Sequence, residues 1–290
     1  MKRILITGEH GYIGNALRSY LSRWEDSYRV DMVSLRDDGW KAGSFRGYDV
    51  VIHAAGIVHQ KESKDDPAQF PIYHRVNAIL PCEVAGKAKE EGVGQFIFLS
   101  SESVYGCTAR VGQTVEITAD TPLNPADNYG RSKLEAEKLL RKLSSPEFHL
   151  AILRPPMIYG KGCKGNYNAL SRLARISPVF PNVQNRRSML YIDNLSELVR
   201  LLIEDQAEGL FCPQDLEPAD VGQVAALIAQ AHGKRLLLLP GFTWALKLLS
   251  GHVGAVDKAF GSLIYAKSLS TYPKNYCIKT LPEAIAETEG

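Results

Sequence analysis

The sequence predicts an α/β fold, a doubly wound parallel sheet followed by a smaller mixed lobe. Three observations carry that expectation. Short apolar β-type runs alternate with helical patterns from Lys2 to Leu153. A glycine-rich turn, Gly8-Glu9-His10-Gly11-Tyr12-Ile13-Gly14, directly follows the first of those runs. Beyond Leu153 the alternation gives way to Pro-, Gly- and Asn-rich stretches.

Taken in order, Lys2 to Thr7 reads as a buried strand, and Ile13, Ala16, Leu17, Tyr20 and Leu21 give a helical pattern running to Trp24. Strand, glycine turn and helix form a phosphate cradle: glycines let the backbone turn tightly, and a pyrophosphate then rests on the helix N-terminus. The second strand spans roughly Tyr28 to Leu35 and runs into Arg36-Asp37-Asp38. An acid at this strand end binds a ribose 2′-hydroxyl, whereas a base accepts a 2′-phosphate. Arg36 therefore leans toward NADP over NAD, although a solvated turn arginine fits the same pattern. A third strand near Trp40 must be very short or absent, because the next clear strand, Asp49 to His53, begins only a dozen residues on. Ala54-Ala55-Gly56 closes it with small residues that let a ligand pass close to the backbone. Helical periodicity spans about Ile72 to Glu91, with Pro81 marking a kink or a new start. The strand Phe96 to Leu99 follows, and Asp127 is placed to cap the next helix.

The second half is more irregular. Arg154-Pro155-Pro156 cannot be helical, and Lys161 to Asn168 is a Gly/Lys/Asn loop. Met189 to Ile192 is apolar, with Asp193 or Asn194 capping a helix to about Glu204; further helices fall near Val221 to His232 and Phe242 to Ser250. The expected division is a dinucleotide-binding domain over 1–155 and a substrate lobe over 156–290, with about 186–205 returning to the first.

Composition narrows the function classes. The 290 residues suffice for one large domain or two closely associated ones, and 45% apolar with 23% charged residues is a soluble globular composition. A net charge of +2 without a long basic run gives no footprint for nucleic acid. No charged-then-apolar leader precedes the first strand, so no signal peptide is expected. Leu236 to Leu249, broken by Pro240, Gly241 and Lys247, is too short and interrupted for a membrane span, and reads as covering a core or a subunit contact. Cys82, Cys107, Cys163, Cys212 and Cys277 show no C-x-x-C or metal-ligand spacing, which points to reduced thiols in the cytoplasm and no metal.

The chemistry concentrates between Ser100 and Lys133. Ser100-Ser101-Glu102-Ser103-Val104-Tyr105-Gly106 ends the Phe96 strand, and Tyr129-Gly130-Arg131-Ser132-Lys133 follows. A phenol, with a free pKa of about 10, is a poor base. A lysine four residues on shares its helix face, and an ammonium there favours the phenolate. The tyrosine can then exchange a proton with a carbinol or ketone oxygen near neutral pH, with Ser101 holding the same oxygen. Tyr-x-x-x-Lys by itself also fits a solvent-facing helix.

Together these residues resemble the extended short-chain dehydrogenase/reductases of the nucleotide-sugar epimerase/dehydratase family. The resemblance rests on Thr7-Gly8-x-x-Gly11-Tyr12-Ile13-Gly14, His53-Ala54-Ala55-Gly56, Val76-Asn77, Ser100-Ser101-x-Ser103-Val104-Tyr105-Gly106, Tyr129-x-x-x-Lys133, Arg154-Pro155-Pro156 and Arg187, in the family's order over roughly residues 1–200. Phe260 to Ser270 resembles the family's C-terminal region more weakly. The resemblance implies a Rossmann-type fold, NAD or NADP as cofactor and a nucleotide-sugar substrate, UDP-linked by family habit. It implies Tyr129 as acid/base, Lys133 on the nicotinamide ribose and lowering the Tyr129 pKa, and Ser101 on the sugar oxygen. Gly8, Gly11, Tyr12, Ile13, Gly14, Arg36, Ala54, Ala55, Gly56 and Pro155 are the cofactor-binding positions. Glu102, Ser103, Asn166 and Arg187 are the substrate positions, the last two on the diphosphate. A homodimer through the helices around Ile72 to Glu91 and Asp127 to Leu143 is a further implication.

Departures from the family pattern bear on the reaction. Sugar 4,6-dehydratases similar to this family carry Thr-Asp-Glu where this chain has Ser101-Glu102-Ser103, so Ser103 stands in place of the base that removes the C5 proton. Arg154-Pro155-Pro156-Met157 replaces the Arg-Tyr-Phe-Asn usual in epimerases and looks more like reductases of 4-keto-deoxy N-acetyl sugars and their epimerase neighbours in surface-polysaccharide pathways. The Ser-x-Ser-Val-Tyr-Gly motif favours 4-epimerisation, while Arg-Pro-Pro and Arg36 favour 4-keto reduction. A non-catalytic dinucleotide-binding sensor or scaffold is the alternative from another class.

Overall fold

The computed structural model describes residues 1–58 and 66–290. The chain forms two units, one of Met1–Gly106, Pro122–Pro155 and Leu195–Cys212, the other of Cys107–Thr121, Pro156–Asn194 and Pro213–Gly290.

The first unit is built on strands β1 (Lys2–Thr7), β2 (Tyr28–Val33), β3 (Val50–His53), β4 (Gln95–Leu99), β5 (His149–Leu153) and β6 (Gly209–Phe211). They form one parallel sheet in the order β6-β5-β4-β3-β1-β2. The near-continuous apolar runs of β1, β3, β4 and β5 suit strands buried on both faces. The principal helices are α1 (Tyr12–Leu21), α2 (Leu80–Glu90), α3 (Asn128–Arg141) and α4 (Ile192–Glu204). Leu5, Val51, Phe96, Phe98 and Ile152 pack with Val84, Ala85 and Ala88 of α2 and Ala136 and Leu140 of α3. Residues alternating with them along the strands, Ile4, Ile6, Ile52 and Ile97, are buried on the other side. Tyr20 donates to Glu197 (3.0 Å) and Tyr28 to Glu204 (3.2 Å), tying α1 and β2 to α4. Strand order reverses between β1 and β3, and their C-terminal residues Thr7 and His53 are register partners. Parallel sheets bind ligands outside the strand ends at such a switch point.

The strand expected to be very short or absent near Trp40 is absent and Pro81 does mark a new helix start, while other elements differ from the sequence expectation. The stretch near Trp40 is a short helix, Gly39–Ala42, and Trp40 is buried against the α2–α3 core. The helical run expected from Ile72 to Glu91 comprises a helix Phe70–His74, a π-helical turn Arg75–Ile79 and then α2. Pro81 has no N–H for the Asn77 carbonyl, so the turn before it widens. Helix α4 begins at Ile192, ahead of the expected caps; Asn194 lies inside the helix, donating to Asp215 (2.8 Å). The returning segment is Leu195–Cys212 rather than 186–205, because α4 and β6 complete the sheet. Cys107–Thr121 falls in the second unit because its strand Thr114–Ile117 pairs with Ser262–Tyr265.

The second unit holds that pair and two more parallel pairs, Met157–Tyr159 with Met189–Tyr191 and Val179–Pro181 with Leu237–Leu239. Its core stacks Tyr159 on Tyr167 (5.5 Å between centroids), and Tyr159 donates to the buried Asp215 (2.9 Å). Helix Leu281–Glu289 is held where Tyr167 (2.8 Å) and Ser171 (2.9 Å) donate to Glu289.

One polar cluster is enclosed within the first unit. Arg154, at the end of β5, forks onto Glu137 of α3 through Nε (2.9 Å) and Nη2 (2.6 Å), and its Nη1 donates to the Tyr105 hydroxyl (2.8 Å). Ser100 also donates to Glu137. Glu137 and Arg154 are almost wholly buried. Removing one partner strands the other charge, at a cost of about 3–5 kcal/mol. Arg154→Leu should therefore lower the unfolding free energy in urea by about that amount, and Glu137→Leu in the same chain should restore part of it. An unchanged midpoint for Arg154→Leu would contradict this account.

Candidate active site

The site in the first unit assembles at the ends of β1, β3 and β4. Gly8 leaves β1 with φ of +94°, and a Cβ on it would sit 3.0 Å from the Ala55 backbone nitrogen. A Cβ on Gly14 would come within 2.9 Å of the Gly8 carbonyl oxygen. Only glycine permits this approach of turn, helix and β3 loop. Gly11 caps α1, Tyr12 and Ile13 open it, and its first turn carries no acid. Asn15 braces the turn by donating to the carbonyls of Glu9 (2.7 Å) and Gly11 (2.9 Å). Unopposed N–H groups at a helix start attract a pyrophosphate, so this cradle fits a dinucleotide.

Beside it, Ala54, Ala55 and Gly56 leave β3. Thr7 Oγ1 lies 3.2 Å from His53 Nδ1, and burial pushes His53 down to about 3, keeping it neutral. Gly56 leaves room for two side chains, since a Cβ there would lie 3.1 Å from Asn77 Oδ1 and 3.4 Å from Lys133 Nζ. Asn77 accepts from the Ile57 N–H (2.9 Å), and its Nδ2 donates to the Ile57 carbonyl (2.9 Å) and to Ser132 Oγ (3.1 Å). Asn77 thus joins the β3 loop to α3. The Val76-Asn77 pair was a marker in the sequence, but nothing in its spacing shows this role.

At the end of β4, Ser101 opens a tight turn, Glu102–Tyr105. Its hydroxyl accepts from the Ser103 N–H (3.1 Å) and donates to Ser103 Oγ (3.1 Å). The Glu102 N–H donates to the Pro155 carbonyl (3.0 Å), which ties the turn to β5. Helix α3 packs on this turn so closely that a Cβ on Gly130 would sit 2.5 Å from the Ser103 carbonyl oxygen. Asp127 caps α3 by accepting from the Gly130 N–H (2.8 Å). Tyr129, Lys133 and Glu137 then follow at four-residue intervals along one helix face.

Tyr129 is half-buried and hydrogen-bonded to Ser101. Burial pushes its phenol up to about 12; the Ser101 hydrogen bond opposes the rise and Asp127 adds to it. Lys133 is buried, donates to the Leu99 carbonyl (2.8 Å) and lies 4.7 Å over the Phe98 ring and 6.0 Å from the Tyr129 ring centre. Burial lowers it to about 8, against the pull of Glu137. The expected lowering of the Tyr129 pKa is therefore not the state of the chain alone. The ammonium is directed to a carbonyl, and desolvation dominates the phenol.

At the end of β2, exposed Arg36 lines a cavity of about 270 Å³ with Leu35, Asp38, Trp40, Arg75 and Leu80. Arg75 is held as a fork on Glu83 (2.8 and 3.0 Å), and Asp38 is paired to Lys41 (2.7 Å). Arg75 carried no signal in the sequence reading.

Asn166 and Arg187 lie in the second unit. Asn166 opens the helix Asn166–Ile176 and is exposed. The Arg187 backbone pairs with Ala219, and its Nη1 donates to the Gly261 carbonyl (3.1 Å). All five cysteines are free thiols.

The NAD dependent epimerase/dehydratase family matches residues 4–211. The UDP-glucose 4-epimerase of Vibrio cholerae is 31% identical over 286 residues, which cover 90% of this chain and 86% of that protein. The N-acetyl-alpha-D-glucosaminyl-diphospho-ditrans,octacis-undecaprenol 4-epimerase of Escherichia coli O157:H7 is 26% identical over 298 residues, with 96% and 86% covered. RMD from Pseudomonas aeruginosa, solved in complex with NADPH, shares the fold at a TM-score of 0.72 and 19% identity over 100% of this chain and 98% of that one. A glycine cradle at the switch point, a Ser-Tyr-Lys face beside it and the match over most of the first unit converge: the chain belongs to the NAD dependent epimerase/dehydratase family and is an NAD(P)-dependent enzyme of it.

Proposed function

We propose that the enzyme moves hydride between C4 of a diphosphate-linked hexose and a nicotinamide, and that the outcome is 4-epimerisation. Hydride transfer rests on the Ser101–Tyr129–Lys133 arrangement beside the sheet's switch point, and the choice of epimerisation on the similarity to two 4-epimerases. In this reading Gly8, Gly11, Tyr12, Ile13 and Gly14 hold the pyrophosphate, Ala54 to Gly56 and Pro155 line the cofactor, and Lys133 holds the nicotinamide ribose. The nicotinamide supplies an acceptor and donor of hydride. With that group bound, Tyr129 would accept the proton of the C4 hydroxyl and return it to the oxygen of the 4-ketone. Ser101 donates to the C4 oxygen and keeps it at the phenol. Burial outweighs any pull of Lys133 on Tyr129 in the chain alone, and the positive charge of an oxidised nicotinamide would join the Lys133 ammonium in favouring the phenolate. Ser103, which accepts from Ser101, offers no carboxylate for C5 deprotonation, so 4,6-dehydration is disfavoured.

The substrate side rests on Arg187 and Asn166 for the diphosphate, with Glu102 and Ser103 near the sugar. A guanidinium suits diphosphate oxygens. Both sequence relatives act on a hexose linked through a diphosphate, to uridine in one and to a polyprenol in the other; UDP is the carrier proposed here. The reading also includes a homodimer through the helices of 70–90 and Asn128–Arg141, in the cytoplasm. Sedimentation equilibrium should show a dimer, and a monomer at every concentration would remove that part.

A second reading, reduction of a 4-keto sugar by dissociable NADPH, is favoured by the β2 cavity. Arg36 and Arg75 line it beside Asp37 and Asp38, which are engaged by the Gly39 N–H and Lys41, and two guanidiniums suit a 2′-phosphate better than a 2′-hydroxyl.

Three measurements test these readings. Tyr129→Phe should abolish epimerisation, by at least about a hundredfold for loss of a general acid/base, while cofactor binding stays within about twofold. Full activity in that variant would end the mechanism. Denaturing the purified protein should release NAD in stoichiometric amount, as an enzyme that recycles its cofactor in place requires. An empty protein that binds 2′,5′-ADP more tightly than ADP, with the difference lost in Arg36→Ala or Arg75→Ala, would instead select the reductase.

A further inference from the structure

The apolar run from Leu236 to Leu249 has no place in the reaction, and most of it is not core. In the second unit, strand Leu237–Leu239 ends at Pro240-Gly241, and the helix Thr243–Leu249 follows. Trp244 and Leu248 stand four residues apart on one face of that helix and are 68% and 69% exposed. Phe242, Leu249 and Val253 are exposed with them. Exposure on this scale, concentrated in one short segment, marks a surface that meets an apolar partner.

The segment is anchored at its C-terminal end. Ser250 Oγ (2.5 Å) and the Gly251 N–H (2.7 Å) donate to Asp257, and the Val111 N–H donates to Ser250 Oγ (3.3 Å). The Lys247 stem lies along Gly112, where a Cβ would come within 2.8 Å of it.

Its charge is one-sided. No aspartate or glutamate occurs between Asp220 and Asp257, whereas Lys234, Arg235 and Lys247 do, all exposed. The Asp257 carboxylate is buried and engaged by Ser250 and Gly251, and the Arg110 guanidinium lies against Gly251. Lys247 lies on the helix itself and Arg110 lies beside its end, and an isologous contact between two copies would bring these cations toward their own counterparts. Tryptophan and phenylalanine among lysines and arginines instead match the interface of a bilayer with anionic headgroups. Among the described residues no helix is long and apolar enough to cross a membrane, so the contact is peripheral.

We propose that this face docks on an anionic lipid surface, with Phe242, Trp244 and Leu248 entering the interface and Arg110, Lys234, Arg235 and Lys247 meeting lipid phosphates. A seven-residue helix gives a reversible attachment that depends on charge, and therefore on salt.

Flotation of the full chain with vesicles tests this without any turnover, so it stands or falls independently of the proposed reaction. The chain should float with mixed phosphatidylcholine–phosphatidylglycerol vesicles, remain behind with phosphatidylcholine alone, and be released by high salt. Trp244→Ser combined with Leu248→Ser should lower vesicle partitioning on the order of tenfold or more, and Arg235→Glu with Lys247→Glu should do the same. Cofactor binding and sedimentation should not change in either pair. Brominated lipid should quench emission in the wild type and lose that effect in Trp244→Phe. Failure of the wild type to float, or equal flotation of both double variants, overturns the proposal. A dimer that Trp244→Ser with Leu248→Ser converts to monomer overturns it too, and assigns the face to a second copy.

Discussion

The fork between Arg154 and Glu137 is the interaction on which the site depends. It is made in a dry interior, where a bidentate guanidinium–carboxylate pair holds only if its remaining donors and acceptors are met. Tyr105 and Ser100 meet them. The pair locks the middle of α3 to the end of β5, and Ser100 draws in the end of β4. Four residues back along the same helix face, Lys133 reaches the Leu99 carbonyl, and four residues before that stands Tyr129. The Tyr129 phenol is thus placed by a helix pinned at its start by the Asp127 cap and farther along by the ion pair.

Burial sets the electrostatics of that face. Desolvation drives the phenol up and the ammonium down, so the chain alone holds both groups in less reactive balance than two model compounds side by side. The Ser101 hydrogen bond and the Glu137 carboxylate each oppose the shift of one partner. What remains is a proton carrier and a cation in a low-dielectric wall, where any further charge acts strongly.

Much of this was legible in the sequence because it is local. Continuous apolar runs mark strands buried on both faces, Gly8 and Gly14 mark a turn that no Cβ fits, and Asp127 three residues ahead of Gly130 marks a cap. The four-residue spacing of Tyr129 and Lys133 needs only a helix to become a shared face. The rest depends on contacts far apart in the chain. No local pattern pairs Thr114–Ile117 with Ser262–Tyr265, and Trp40 has the same hydrophobicity whether it extends a strand or plugs a core. Asn77 is one polar residue in a helical run until the β3 loop folds over it. The leucine-rich stretch after Arg235 suggested burial by composition, but Trp244 and Leu248 share the helix face turned away from Ala245 and Leu246.

The widened turn at Arg75–Ile79 joins two ends of the groove that are usually thought of separately. Arg75 lines the cavity beyond β2, and two residues later Asn77 steadies the loop beside Lys133. The lining of the β2 cavity and the order of the β3 loop are thereby tied to a single turn of backbone. A substitution at position 75 that changes that turn's pitch therefore reaches the β3 loop beside Lys133 as well as the β2 cavity.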